Sequence, residues 1–178
     1  NQVQAVREAL EKKVMVITGG PGTGKTTIIN SIIKLYARTG QKVLLAAPTG
    51  RAAKRIFEAT KHDARTIHRL LEFSPKGGRF KKNEDDPLDA DLIVVDEVSM
   101  VDTVLMLQLL KAVPPSATLI LVGDVDQLPS VGPGNVLKDI IASARVPCFH
   151  LTRIFRQASQ SLIVHYAHQI NRGDLPPI

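Results

Sequence analysis

The chain has 178 residues, 44% of them hydrophobic and 22% charged, and a net charge of +6 at neutral pH. That length suits a single domain with a sizeable core. No apolar run approaches the roughly 20 residues that cross a bilayer, and the residues before the first helix do not read as a secretory signal, so none is expected. The lone Cys148 excludes an internal disulfide framework, so a reducing, cytoplasmic setting without membrane attachment is expected.

In chain order, an opening helix runs through Val3, Val6, Ala9 and Leu10. Residues 14–17 read as a strand buried on both faces, and residues 26–38 as an amphipathic helix. Between them, Gly19-Gly20-Pro21-Gly22-Thr23-Gly24-Lys25-Thr26 meets the pattern G-x-x-x-x-G-K-[ST] at every fixed position. A strand, a glycine-rich loop and a helix N-terminus together aim backbone N–H groups and a positive dipole end at one point. The loop from Gly20 to Thr27 is therefore expected to cradle the phosphates of a nucleoside triphosphate. Lys25 offers a compact charge to the β- and γ-oxygens, and the Thr26 hydroxyl stands ready to ligate Mg²⁺.

Further strands follow at 42–47, 92–96, 118–122 and 148–151, with helices at 50–60, 66–71, 101–113, 134–143 and 160–171. Strands alternating with helices argue for an α/β fold, a mostly parallel sheet with helices on both faces. Lys and Arg gather at Arg51, Lys54, Arg55, Lys61, Arg65 and Arg69, and again at Lys76, Arg79, Lys81 and Lys82. The second group precedes the acidic run Glu84-Asp85-Asp86 and suits a solvated hairpin tip as well as a polyanion contact. Residues 73–88, with Pro75, Gly77-Gly78 and Pro87, break the alternation and suit a protruding hairpin. Cys148 sits in an apolar run and is expected to be packed rather than reactive. Residues 173–178 look like a helix stop and the start of a linker.

Three later segments carry chemistry. The apolar strand at 92–95 ends in Asp96-Glu97, and ligands bind at the carboxyl ends of strands in such sheets. Beside the phosphate loop, Asp96 is expected to hold Mg²⁺ and Glu97 to orient and deprotonate the attacking water. The strand at 118–122 runs into Gly123-Asp124-Val125-Asp126-Gln127-Leu128-Pro129. Its Gln127 amide offers both a donor and an acceptor to a γ-phosphate or to water, while Asp124 and Asp126 also suit plain turn roles. Just past the last strand, Arg153 and Arg156 compete to stabilise charge on the transferring phosphoryl group.

Taken together these motifs resemble superfamily 1 helicases, within them the RecD/TraA-like branch of 5′→3′ DNA helicases (exodeoxyribonuclease V alpha-subunit-like). The likeness spans essentially the whole chain. It includes Asn1-Gln2-Val3-Gln4-Ala5-Val6, the phosphate loop, Ala46-Ala47-Pro48-Thr49-Gly50-Arg51-Ala52-Ala53 and Thr66-Ile67-His68-Arg69-Leu70-Leu71. It continues through Val95-Asp96-Glu97-Val98-Ser99-Met100, the Gly123–Gly134 segment and Ile154-Phe155-Arg156-Gln157. The Gly-Asp-x-x-Gln-Leu-Pro and Ile-Phe-Arg-Gln segments are specific; the phosphate loop is shared by many ATPases.

The resemblance implies a RecA-like P-loop NTPase domain over 1–172, the first of two motor domains. It implies ATP and Mg²⁺ as cofactors and the ATP-hydrolysing motor of a DNA helicase as the activity, in DNA repair and recombination. It assigns Gln2 to the adenine and Arg156 rather than Arg153 to the γ-phosphate, and makes Gln127 the link between nucleotide state and DNA grip. It lines a single-stranded DNA track with Pro48, Thr49, Gly50, Arg51, Thr66 and His68. Small hydroxyl residues, backbone N–H groups and one arginine can hold phosphates without reading bases. Thr66 also reads as a helix N-cap and His68 as a packed ring. The hairpin at 73–88 looks like a strand-separating pin with Phe80 at the fork, and equally like a surface loop. Implied partners are single-stranded DNA, a second RecA-like domain of the same chain, and recombination-nuclease subunits. A domain working without that second half is expected to bind nucleotide weakly and turn it over slowly.

The alternative from another class is a P-loop switch or kinase acting on a protein or small molecule without DNA translocation. A kinase needs an acceptor pocket and a lid, for which no segment stands out. A non-catalytic binding module is at odds with an intact Lys25, Thr26, Asp96 and Glu97.

Overall fold

A computed structural model describes residues 2–152, 162–171 and 173–174. The elements run α1 (Gln2–Glu11), β1 (Val14–Gly19), α2 (Lys25–Arg38), β2 (Val43–Ala47), α3 (Gly50–Thr60), β3 (Ala64–Thr66) and α4 (Ile67–Leu70). After them come β4 (Phe73–Ser74), β5 (Arg79–Phe80), β6 (Leu92–Val95), a 3-10 turn at Val98–Met100 and α5 (Thr103–Ala112). The remainder is β7 (Thr118–Gly123), α6 (Val136–Ala142), β8 (Cys148–Leu151) and α7 (Leu162–Asn171).

Six strands form one sheet in the order β3-β2-β6-β7-β1-β8, and every pairing within it is parallel. Side chains alternate across a strand, and this sheet uses both directions for burial. Met15, Ile17, Leu92, Val94, Ile120 and Val122 face the layer built by α1, α2 and α3. Val16, Ile93, Val95, Leu119 and Leu121 face the layer built by α4, α5 and α6. The central strands β6 and β7 therefore read as nearly unbroken apolar runs, because both of their faces are buried. In α2, Ile28, Ile29, Ile32, Ile33 and Tyr36 recur at helical spacing and cover the first face. The Tyr36 hydroxyl, although buried, donates to the Ala9 carbonyl at 3.0 Å and lies 3.2 Å from Thr118 Oγ1, tying α1, α2 and β7 together.

The α/β sheet with helices on both faces is the expected one. Its third strand, β3, is a sixth member that the sequence pattern did not suggest, because three residues with Arg65 at the centre carry no strand periodicity. The insertion is also shorter as a hairpin than the 73–88 segment. Antiparallel pairing is confined to Phe73–Phe80 and Ser74–Arg79. Residues beyond it fold back onto the body: the Leu88 N–H donates to the Ala112 carbonyl at 2.8 Å, and Lys111 pairs with Glu84 at 3.1 Å. Cys148 is half-buried, and burial pushes its thiol up from the ordinary value.

Tyr36→Phe is expected to lower stability by about 0.5–1.5 kcal/mol, the net worth of one buried hydrogen bond. Urea unfolding checks it: the midpoint should fall while the slope holds, and an unmoved midpoint would show the hydroxyl contributes nothing.

Candidate functional site

Because all six strands of the main sheet point the same way, their carboxyl ends share one edge. The loop after β1, the Pro48–Arg51 segment after β2, Thr66 at the end of β3, Asp96-Glu97 after β6 and the Asp124 turn after β7 all emerge there. The chain leaves β1 toward β2 on one side and later returns to β8 on the other, so the phosphate loop occupies the point where strand order reverses.

In that loop Gly22 (φ 75°) and Gly24 (φ 89°) take the left-handed conformation, which side chains with a Cβ resist. Gly24 caps α2 without any side-chain bond to the helix, leaving the first-turn N–H groups directed at the loop. Thr23 is turned inward and buried, and its hydroxyl donates to the Gly20 carbonyl at 2.8 Å, so this side chain braces the loop from within. The Lys25 ammonium donates to the Gly19 carbonyl and, at 3.1 Å, to that of Gly20. Thr26 and Thr27 lie exposed at the start of α2.

Opposite, the Asp96 N–H extends the ladder to the Ala46 carbonyl at 3.0 Å. One Asp96 carboxylate oxygen accepts from the Glu97 N–H at 2.8 Å. Burial raises the Asp96 carboxyl above its ordinary value; the Glu97 charge raises it further, while that backbone N–H, Lys25 and Arg55 pull it down. Glu97 adopts a left-handed backbone (φ 55°), a strained conformation for a residue of its kind. Its carboxylate lies 3.5 Å from the Arg55 guanidinium. Thr26, Asp96, Glu97, Arg55 and Glu58 line one cavity of about 390 Å³.

The donor set suits a magnesium ion carried by phosphates. Thr26 and Asp96 line the same cavity, and a carboxylate whose ionised form is disfavoured by burial gains from a cation beside it. Among the described residues no group of three or more His, Cys, Asp or Glu could hold a metal, as a self-sufficient protein cage would require.

The remaining residues divide. The turn after β7 stands between the phosphate loop and the twin acids, since β7 separates β1 from β6. Asp124 in it is buried and accepts from the Asp126 N–H at 3.1 Å, a turn-bracing role. Gln127 is exposed on the same turn and does not line the cavity. Pro48 and Thr49 are half-buried, Gly50 and Arg51 exposed. Thr49 caps α3, accepting from the Ala52 N–H, and Thr66 caps α4, accepting from the Arg69 N–H. The exposed His68 ring stands edge-on to Phe73 at 5.5 Å and tilted against Phe80 at 5.6 Å. Phe80 thus belongs to the base of the hairpin, whose tip is Pro75 to Gly78. The side chain of Gln2 and the whole of Arg153, Arg156 and Gln157 lie outside the described residues. Arg55, read from the sequence only as a member of the basic cluster from Arg51 to Arg69, is a cavity residue; its spacing of four from Arg51 on one helix was the available signal.

The AAA domain family matches residues 2–133. The chain is 43% identical over 175 residues to the ATP-dependent RecD2 DNA helicase of Deinococcus radiodurans, covering 98% of this chain and 24% of that protein. It is also 43% identical over 163 residues to the RecBCD enzyme subunit RecD of Mycobacterium tuberculosis, covering 79% of this chain and 28% of the subunit. The chain thus spans about a quarter of the length of these relatives. In fold it is similar to the Pif1 helicase from Candida albicans, with a TM-score of 0.69 at 23% identity over 98% of this chain and 44% of that one. Bacteroides Pif1 bound to ssDNA gives a TM-score of 0.63 at 20% identity, covering 99% of this chain and 46% of that one.

Folded Asp96 holds its proton more tightly than the unfolded chain. The stability it contributes is therefore fully present below the ordinary value of 3.8 and is lost as pH climbs through the raised folded value. Asp96→Asn is expected to flatten that decline and to resist urea better than wild type at neutral pH in metal-free buffer. Mg²⁺ with ATP should then stabilise wild type more than the variant. Urea melts across pH 4–8 decide it, and a variant less stable than wild type at pH 7 without metal contradicts the assignment.

Proposed function

The chain belongs to the AAA domain family and is RecD-like in sequence, and from that footing we propose that it is the ATP-binding, ATP-hydrolysing motor domain of a 5′→3′ DNA helicase moving on single-stranded DNA in repair and recombination. The observation that carries this reading is the convergence of Lys25, Thr26, Asp96 and Glu97 on one edge of a parallel sheet, with Thr26, Asp96 and Glu97 in one cavity.

On this reading Gly20 to Thr27 wrap the triphosphate with backbone N–H groups, and the Lys25 ammonium leaves the loop carbonyls for the β- and γ-oxygens. The Thr26 hydroxyl and the Asp96 carboxylate would hold Mg²⁺, which when bound would neutralise charge building on the β- and γ-phosphates. Glu97 orients a water in line with the γ-phosphorus and takes its proton. Arg156 stabilises the charge on the transferring group, Gln127 reads whether the γ-phosphate is present, and Gln2 recognises the adenine. The DNA track comprises Pro48, Thr49, Gly50, Arg51, Thr66 and His68, gripping the backbone rather than the bases.

A motor of this kind also needs a second RecA-like domain that closes on ATP and opens after hydrolysis, contributed by the same chain. The RecBCD subunit among its relatives supports nuclease subunits as further partners.

The test is ATP hydrolysis by the full-length protein with and without single-stranded DNA, together with strand displacement on 5′- and 3′-tailed duplexes. DNA should stimulate turnover, Lys25→Ala should lower it by about 10²–10³-fold, and only the 5′-tailed duplex should be unwound. Turnover indifferent to DNA would instead favour a P-loop switch acting on a protein or small molecule.

A further inference from the structure

Helix α3 joins two parts of the domain that the reading above treats separately. Its first turn, capped by Thr49, carries Gly50 and the exposed Arg51. One turn further on, about 6 Å along the axis, Arg55 projects from the same face toward the cavity and pairs with Glu97. The opposite face, Ala52, Ala53, Ile56 and Thr60, is buried against the body. The helix therefore presents one arginine to the edge where the DNA track is proposed and the next to the residue proposed to activate water.

Resting on that reading, we propose that Arg55 is the positioning residue of Glu97, and that α3 thereby couples grip on single-stranded DNA to water activation. The Glu97 backbone is held in the left-handed region, so its side chain enters the cavity from one direction and only its rotamers remain to be set. Among the described residues Arg55 is its ion-pair partner. The Glu97 side chain is 19% exposed and that of Arg55 71%, so the acid lies inside and the guanidinium stands at the mouth. With the guanidinium largely in solvent, the pair's contribution to stability is small. Here the useful consequence is geometric: a guanidinium at 3.5 Å fixes where the carboxylate points, and it does so from a helix whose other end is free to engage phosphates. A shift of α3 when Arg51 and the Thr49 turn take hold of DNA reaches Glu97 through this pair.

The experiment measures steady-state ATP hydrolysis by full-length wild type, Arg55→Ala and Arg55→Lys, with and without oligo(dT). KM for ATP, DNA affinity by fluorescence anisotropy and melting temperature are read alongside. Arg55→Ala should lower kcat both with and without DNA, but unequally, so that the stimulation ratio falls about tenfold while KM and DNA affinity move less than about threefold. Arg55→Lys, which keeps the charge without the planar fork, should recover part of the ratio with an unchanged melting temperature. An unchanged ratio, a proportional fall in both rates, or a raised KM at constant kcat each overturns the proposal. The last of these would make Arg55 a nucleotide contact. If wild type itself shows no DNA stimulation, the helicase reading falls together with it; if wild type is stimulated and Arg55→Ala equally so, only the coupling fails.

Discussion

Everything at the candidate site depends on one constraint, that the six strands of the main sheet run in the same direction. Carboxyl ends that alternate between two edges in an antiparallel sheet are here collected on one. Adjacent strands lie about 4.8 Å apart. With β7 between them, β1 and β6 therefore set the phosphate loop and the twin acids about 10 Å apart, a gap of the scale of a polyphosphate and its cation. The same constraint demands apolar strands, because helices must cover both faces, and this core makes the edge rigid enough to hold charged groups in register.

Charge at that edge is then governed by burial. Asp96 sits deep enough for desolvation to outweigh the pull of Lys25 and Arg55. A fold optimised for stability alone would place an amide or an apolar residue there. A carboxylate whose ionised form is disfavoured by burial would gain from a divalent cation beside it, so on the proposed reading the desolvation of Asp96 favours binding of a metal–triphosphate complex. The left-handed Glu97 next to it belongs to the same economy, strain held in place by the strand before it and the 3-10 turn after it.

What could be read in the sequence follows from range. The phosphate loop is local: glycines at positive φ, a lysine and a hydroxyl sit within eight residues, and their spacing carries the geometry. The central strands announce themselves as largely apolar runs because both of their faces are buried, whereas the edge strand β8 carries an exposed His150. Local information ran out at β3, too short for a period, and along 81–88, where residues that look like hairpin turn out to be held by α5 through tertiary contacts invisible in the pattern. Thr23 shows a subtler gap, since the motif names it as part of the loop but only the fold shows its side chain turned inward. The Arg55–Glu97 pair was out of reach for the same reason, being a contact between residues 42 positions apart.

The two capping threonines show how structural and functional uses can share one atom. Thr49 and Thr66 each accept a backbone N–H at the start of a helix, which on its own accounts for a hydroxyl residue there. A hydroxyl that accepts in this way still has its own proton to donate. At both positions that proton lies at the strand-end edge, where the proposed DNA track would offer a phosphate oxygen as acceptor. A cap is therefore not an argument against a nucleic-acid contact. It fixes the oxygen and leaves the hydroxyl hydrogen to rotate, and the proposed stepwise grip on a phosphate backbone would suit such a weak, well-placed donor. His68, by contrast, is held against Phe73 and Phe80, so any part it takes in the track is tied to the hairpin base rather than to the sheet edge.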